Sequence, residues 1–157
     1  SCDVIASYLK SIGVEDMLVN IGEIYCSGMN PEGEGWKIGV DSPIDGNNTP
    51  GENLSGIWQS DGRACGIVTS GNYRKFYIKD GKKYSHTIDP RNGYPVQHDL
   101  LSATIVAPTA AEADALATAC MVMGPERAVE FVESLEGVEA YFIFSEGSWA
   151  SEGFALK

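Results

Sequence analysis

The sequence predicts an α+β fold in which helices pack on a mixed sheet in a single domain. Three observations carry this. Many short apolar runs of strand length are spread along the chain, and only three stretches repeat apolar residues at helical spacing. The 157 residues suit one domain with a real core, and the 43% hydrophobic content is that of an ordinary globular chain rather than a disordered one.

Residues 3–12 read as a helix. Val4, Ile5, Tyr8, Leu9 and Ile12 fall on one face, and Gly13 suits its end. Met17–Ile21 is a short apolar run, most simply a buried strand. Gly22 breaks it, and Glu23–Ser27 continues as a second strand. Met29–Gly35 has turn composition, and Trp36–Val40 alternates as a strand does. Asp41–Asn53 is rich in Pro, Gly, Asn and Asp, so it reads as a surface loop and as the most mobile segment. Leu54–Gln59 and Arg63–Thr69 are further strands. Phe76–Lys79 and Lys82–Ser85 flank Asp80-Gly81, a pair suited to a type I′ hairpin turn.

Asp89–Pro95 is turn chemistry throughout, and Ser102–Ala107 is a strand. A helix follows, with Thr109 as its N-cap and Glu112 completing a capping box. Gly124-Pro125 stops it and starts another helix, roughly Pro125–Leu135. Val138–Phe144 is a strand, and a last short one is expected near Phe154. Trp36, Trp58 and Trp149 fall at strand-like positions and read as core.

Charge narrows the function classes. Lys and Arg number 11 against 22 Asp and Glu, a net charge of −11. Nucleic acid and anionic membrane surfaces both need clustered cations, so neither is an expected partner. A nucleotide still fits if a metal ion or backbone N–H groups neutralise its phosphates. No apolar run is long enough to insert into a bilayer, and nothing at the start resembles an export signal. Ser1–Ile5 reads as the inside of an ongoing element, which predicts a fragment of a longer protein. Cys2, Cys26, Cys65 and Cys120 show neither C-x-x-C nor zinc spacing. All four read as structural, Cys120 as a small buried hydrophobe, and they leave the redox compartment open.

Three constellations carry candidate chemistry. Asp114 and Thr118 are four apart in a helix and share a face. A carboxylate beside a hydroxyl is a hard oxygen site of the kind Mg²⁺ or Ca²⁺ takes. Spacing alone favours a plainer reading, a first-turn acid stabilised by the helix dipole and a threonine bonded back to a carbonyl. Alanines at 110, 111, 113, 115, 117 and 119 make this helix slim, so another backbone or a ligand can approach it closely. In the second constellation, Thr69-Ser70-Gly71 ends a strand and offers hydroxyls and N–H groups to a phosphate. His86, next to a tight turn, is a candidate general base. A surface hairpin with a hydrogen-bonded histidine is the alternative. His98 reads as solvated. The third constellation, Asn20–Glu23, has a glycine between two strands, which suggests a bulge or a close backbone approach.

In this order, Leu18–Glu23, Val68–Gly71, Tyr84–Pro95 and Ala107–Thr118, continuing to Met123-Gly124, resemble the ApbE family of FAD:protein FMN transferases. The resemblance covers essentially the whole chain. It implies a magnesium-dependent enzyme that cleaves FAD and attaches FMN to a Thr or Ser hydroxyl of an acceptor flavoprotein. By the same resemblance, Asp114 and Thr118 ligate Mg²⁺ with the Ala117 carbonyl as an added ligand, and His86 is the base. Thr69, Ser70, Gly71 and Ile88 lie against FAD. The implied setting is the bacterial cell envelope or periplasm, with a lipid anchor upstream.

The chain departs from the family pattern in having one glycine, Gly22, before Glu23 where the family has two. It also begins after the family's Gly/Ala/Lys-rich metal-binding segment. Residues 1–157 therefore read as the C-terminal portion of such a domain, with the upstream half absent. Two other readings stand beside this one. One is a magnesium-dependent FAD pyrophosphatase giving FMN and AMP, and the other is a non-catalytic flavin-binding module.

Overall fold

The computed structural model describes residues 1–47, 49 and 51–157. In chain order its elements begin with α1 (Cys2–Ser11), β1 (Met17–Asn20), β2 (Ile24–Ser27), β3 (Lys37–Asp41), β4 (Leu54–Gln59) and β5 (Cys65–Gly71). They continue with β6 (Phe76–Lys79), β7 (Lys82–Ser85), β8 (Ile88–Asp89), β9 (Tyr94–Pro95) and β10 (Leu100–Ala107). The chain closes with α2 (Ala110–Met123), α3 (Pro125–Glu133), β11 (Glu139–Phe144) and β12 (Gly147–Ala150).

Six strands form the main sheet in the order β1-β2-β5-β10-β11-β12, and their pairings are antiparallel throughout. Strand β10 lies near the centre and is buried on both faces, which explains its nearly unbroken apolar run. Successive side chains of a strand point to opposite faces, so Ile105 joins the core beneath α2 and α3 while Val106 joins the core on the other face. That second core is closed by the β3–β4 hairpin through Ile38, Val40 and Trp58, with Phe154 beside them. Helix α1 packs Cys2 and Ala6 against Met17, Val19 and Tyr25. The result is a helical layer, a sheet and a covering hairpin. No described helix is long and apolar enough to cross a membrane.

Helix α2 is held by close approach. A Cβ built on Gly66 of β5 would sit 2.4 Å from both the Cα and the N of Ala110, so only glycine fits there. Ala110, Ala113 and Ala117 are fully buried against the sheet, as the small side chains on this helix led us to expect. The Thr109 hydroxyl accepts from the N–H of Glu112 at 3.1 Å. The Asp3 carboxylate supplies the rest of the cap, accepting from Ala110 and Ala111 N–H at 2.9 Å each. The Asp80-Gly81 turn has φ of 52° and 74°, as a type I′ turn requires. Tyr77 and Tyr84 stack across this hairpin with ring centroids 5.1 Å apart.

Several expectations change. The apolar face expected of α1 points mostly outward, with Val4 and Tyr8 at 70% and 64% exposure, because the helix lays its smaller Cys2 and Ala6 on the sheet. The last strand is Gly147–Ala150, a hairpin partner of β11, and near Phe154 there is instead a single bridge between Leu156 and Trp58. His98 is not a solvated residue. Its Nε2 donates to the Met121 carbonyl at 2.8 Å and its Nδ1 accepts from Leu100 N–H at 3.3 Å, which ties α2 to β10. Within the loop 41–53, Asn48 and Pro50 lie outside the described residues. Its described part is anchored through Gly46 N–H to the Tyr73 carbonyl and Asn47 to the Ser42 carbonyl.

Candidate active site

Strand β2 pairs with β5 only as far as Ile67, while β10 follows β5 to Gly71. Thr69-Ser70-Gly71 is therefore the end of a strand, as the sequence suggests. It is regular strand, bonded to β10 on one side and free of a partner strand on the other. That open edge forms the wall of a cavity of about 410 Å³. Its second wall is α2, which contributes Thr118, Met121 and Val122, and its rim is Tyr73–Lys75 and His86–Ile88. Gly71 is required by Tyr73, since a Cβ there would meet the tyrosine ring at 2.4 Å.

The cavity brings together six of the residues singled out from sequence: Thr69, Ser70, Gly71, His86, Ile88 and Thr118. The Ser70 and Thr118 hydroxyls lie 3.3 Å apart, joining strand to helix at the cavity wall. Asp114 is exposed one turn before Thr118 on the same face of α2 but does not line the cavity. Ala117 has a buried side chain, and its carbonyl lies inside the helical ladder, which leaves one of its two lone pairs for another partner. Among the described residues, no group of three or more His, Cys, Asp and Glu is placed to hold a metal ion. The oxygen donors Asp114 and Thr118 suit Mg²⁺ as part of a ligand set, because that ion ordinarily keeps several waters and takes phosphate oxygens from its substrate.

His86 is fixed by Lys75. The Lys75 carbonyl accepts from the His86 backbone N–H at 3.1 Å and faces the ring Nδ1 at 3.0 Å. A carbonyl only accepts, so Nδ1 carries the proton, and Nε2 keeps the lone pair that a general base uses.

Sequence reasoning missed Tyr73, Arg74 and Lys75. An Arg-Lys pair just after Thr-Ser-Gly, in a chain this acidic, was the signal available. Arg74 is ion-paired with Asp41, donates to the Asn47 carbonyl at 3.2 Å and lies over the Tyr73 ring. A second cavity of about 490 Å³ shares Thr69, Tyr73 and Arg74 with the first and opens between β1–β2 and β3. Three residues after His86, Asp89 is gripped by Arg91 through Nε and Nη2, and this holds its carboxyl down at about 2.

Residues 1–142 match the model of the ApbE family. A FAD:protein FMN transferase of Escherichia coli (strain K12) is 41% identical over 159 aligned residues, which cover 98% of this chain and 43% of the relative. One from Haemophilus influenzae is 36% identical over 156 residues, covering 99% and 42%. The crystal structure of the Pseudomonas stutzeri flavinyl transferase ApbE in its apo form superposes with a TM-score of 0.76 at 34% identity, covering 96% of this chain and 46% of that one. The ApbE protein of Thermotoga maritima gives 0.80 at 27% identity, covering 96% and 48%. The chain thus spans less than half the length of these relatives.

Proposed function

The chain belongs to the ApbE family, and from that premise we propose that it supplies the flavin-diphosphate and metal side of an FAD:protein FMN transferase. The observation that carries the reading is the cavity on the open edge of β5, where His86, with Nε2 available, meets the Ser70 and Thr118 hydroxyls and the Arg74-Lys75 rim. FAD is two aromatic lobes joined by a diphosphate. Two cavities that meet at Arg74 are consistent with that shape, and in this reading Arg74, held by its ion pair with Asp41, faces the phosphates. Exposed Ile88 offers an apolar contact to a ring.

The hydroxyl of a Thr or Ser on the acceptor flavoprotein attacks the phosphorus on the FMN side. The bond from that phosphorus to AMP breaks, and His86 Nε2 takes the hydroxyl proton. When bound, Mg²⁺ neutralises charge on the diphosphate, with Asp114, Thr118 and the Ala117 carbonyl as its proposed ligands in this chain. Thr69, Ser70 and Gly71 hold the substrate along the strand edge. The relatives are more than twice as long as this chain, and the test therefore uses a full-length version. We further propose a periplasmic, lipid-anchored setting, which fractionation of cells expressing the full-length protein tests.

The reading is tested with a full-length version, FAD, Mg²⁺ and a threonine-bearing acceptor. FMN that stays on the acceptor through denaturation supports it. Free FMN and AMP with an unlabelled acceptor would make the protein a pyrophosphatase. Asp114→Ala should weaken Mg²⁺ binding by calorimetry and abolish metal-dependent turnover. Flavin binding with no turnover in the unsubstituted protein would leave only a binding module.

A further inference from the structure

Two cysteines outside the cavity face each other. Cys26 of β2 and Cys65 of β5 are direct partners in the antiparallel ladder, and their sulfurs are 3.7 Å apart. Both are buried beneath the β3–β4 hairpin, packed with Ile38, Val40 and Trp58. Among the described residues no other cysteine sulfurs are in contact. Cys2 instead points to the carbonyls of Val19 and Glu23, and Cys120 lies in the core under α2.

We propose that Cys26 and Cys65 are a disulfide site, closed by thiol–disulfide exchange with a small disulfide such as oxidised glutathione. Opposed residues on antiparallel strands hold their Cα atoms about 4.5–5.5 Å apart. That lies inside the range of about 4.4–6.8 Å that disulfides span. Side-chain rotation therefore brings the sulfurs together without moving the strands. In the reaction the two S–H bonds and the reagent's S–S bond break, and one Cys26–Cys65 bond forms. The reagent takes the two electrons and two protons and leaves as two thiols. Exchange needs a thiolate. Both sulfurs are buried beneath the β3–β4 hairpin, out of reach of a small disulfide, so the folded pair reacts slowly and closure belongs to folding. The bond would join residues 39 apart and pin β2 to the strand whose far end lines the cavity. It forms in an oxidising compartment and stays open in a reducing one.

The test refolds the reduced, denatured chain in a glutathione redox buffer, then unfolds it in iodoacetamide for peptide mapping. One linked Cys26–Cys65 peptide pair, a mass lower by about two protons than the reduced chain, and alkylated Cys2 and Cys120 are expected. The oxidised form should melt roughly 10 °C above the reduced one. A Cys26→Ala/Cys65→Ala variant should melt at one temperature in either buffer. Four alkylated cysteines, glutathione retained on Cys26 or Cys65, or a bond using Cys2 or Cys120 would overturn the proposal. The same map after prolonged diamide treatment of the folded protein gives a readout that does not depend on refolding.

Discussion

At His86 a single carbonyl decides what the ring can do. The Lys75 oxygen takes the Nδ1 proton, and the lone pair is left on Nε2. His86→Asn in the full-length protein should slow FMN transfer about 10²–10⁴-fold with FAD affinity little changed. Unchanged transfer in a rapid-quench assay would remove His86 from the mechanism. Immediately after Ile88, Asp89 works in the opposite sense of charge. Arg91 donates to it from backbone and side chain, holding its carboxyl at about 2 against an ordinary 3.8. A depressed carboxyl stabilises the fold fully above its ordinary value and loses that contribution as the pH falls towards 2. Melting temperature should therefore drop between about pH 4 and pH 2. Asp89→Asn should flatten that part of the curve, and an unchanged slope would show that the pair does not contribute. The chemical type of His86, Thr118 and the Thr69–Gly71 segment was legible in the sequence. Arg74 and Lys75 were not, because they reach the cavity only when the turn after β5 folds back towards β7.

Helix α2 shows how much an element depends on its neighbours. Its start at Thr109 and its stop at Gly124 were readable from local chemistry, since caps act within four residues. The Asp3 half of the cap was not, because it arrives from 107 residues away. Nor was the contact with Gly66, where strand and helix backbones meet. Gly66→Ala should cost about 1–3 kcal/mol, since backbone on both sides must move. In thermal melts this is a fall of roughly 3–10 °C. An unaltered melting temperature would mean that α2 is seated less closely than the structure describes. Because α2 also carries Asp114 and Thr118, the same variant should weaken Mg²⁺ binding in the full-length protein. Helix α1 is the converse case. Its periodicity was legible, but which face the sheet would take was not, because Cys2 and Ala6 fit where Val4 and Tyr8 do not.

Across the whole molecule, the sheet order puts the functional edge at a step. Strand β2 follows β5 only to Ile67 whereas β10 follows it to Gly71, and the cavity lies along the uncovered part. The 157 residues alone should bind FAD and Mg²⁺ weakly and fail to transfer FMN, because the proposed metal shell here has only Asp114, Thr118 and the Ala117 carbonyl. Robust labelling of a threonine-bearing acceptor by this chain alone would refute that. The sequence by itself determined the α+β class, most strand and helix positions, the hairpin turn at Asp80-Gly81 and the residue types of the site. These follow from periodicity, turn chemistry and caps, all of which act over a few residues. Only the tertiary structure decided that the Thr69–Gly71 strand end has one edge open, that His98 is a clamp, and that Cys26 faces Cys65. Each depends on strand register and sheet order, which bring together residues whose separation along the chain carries no local signal.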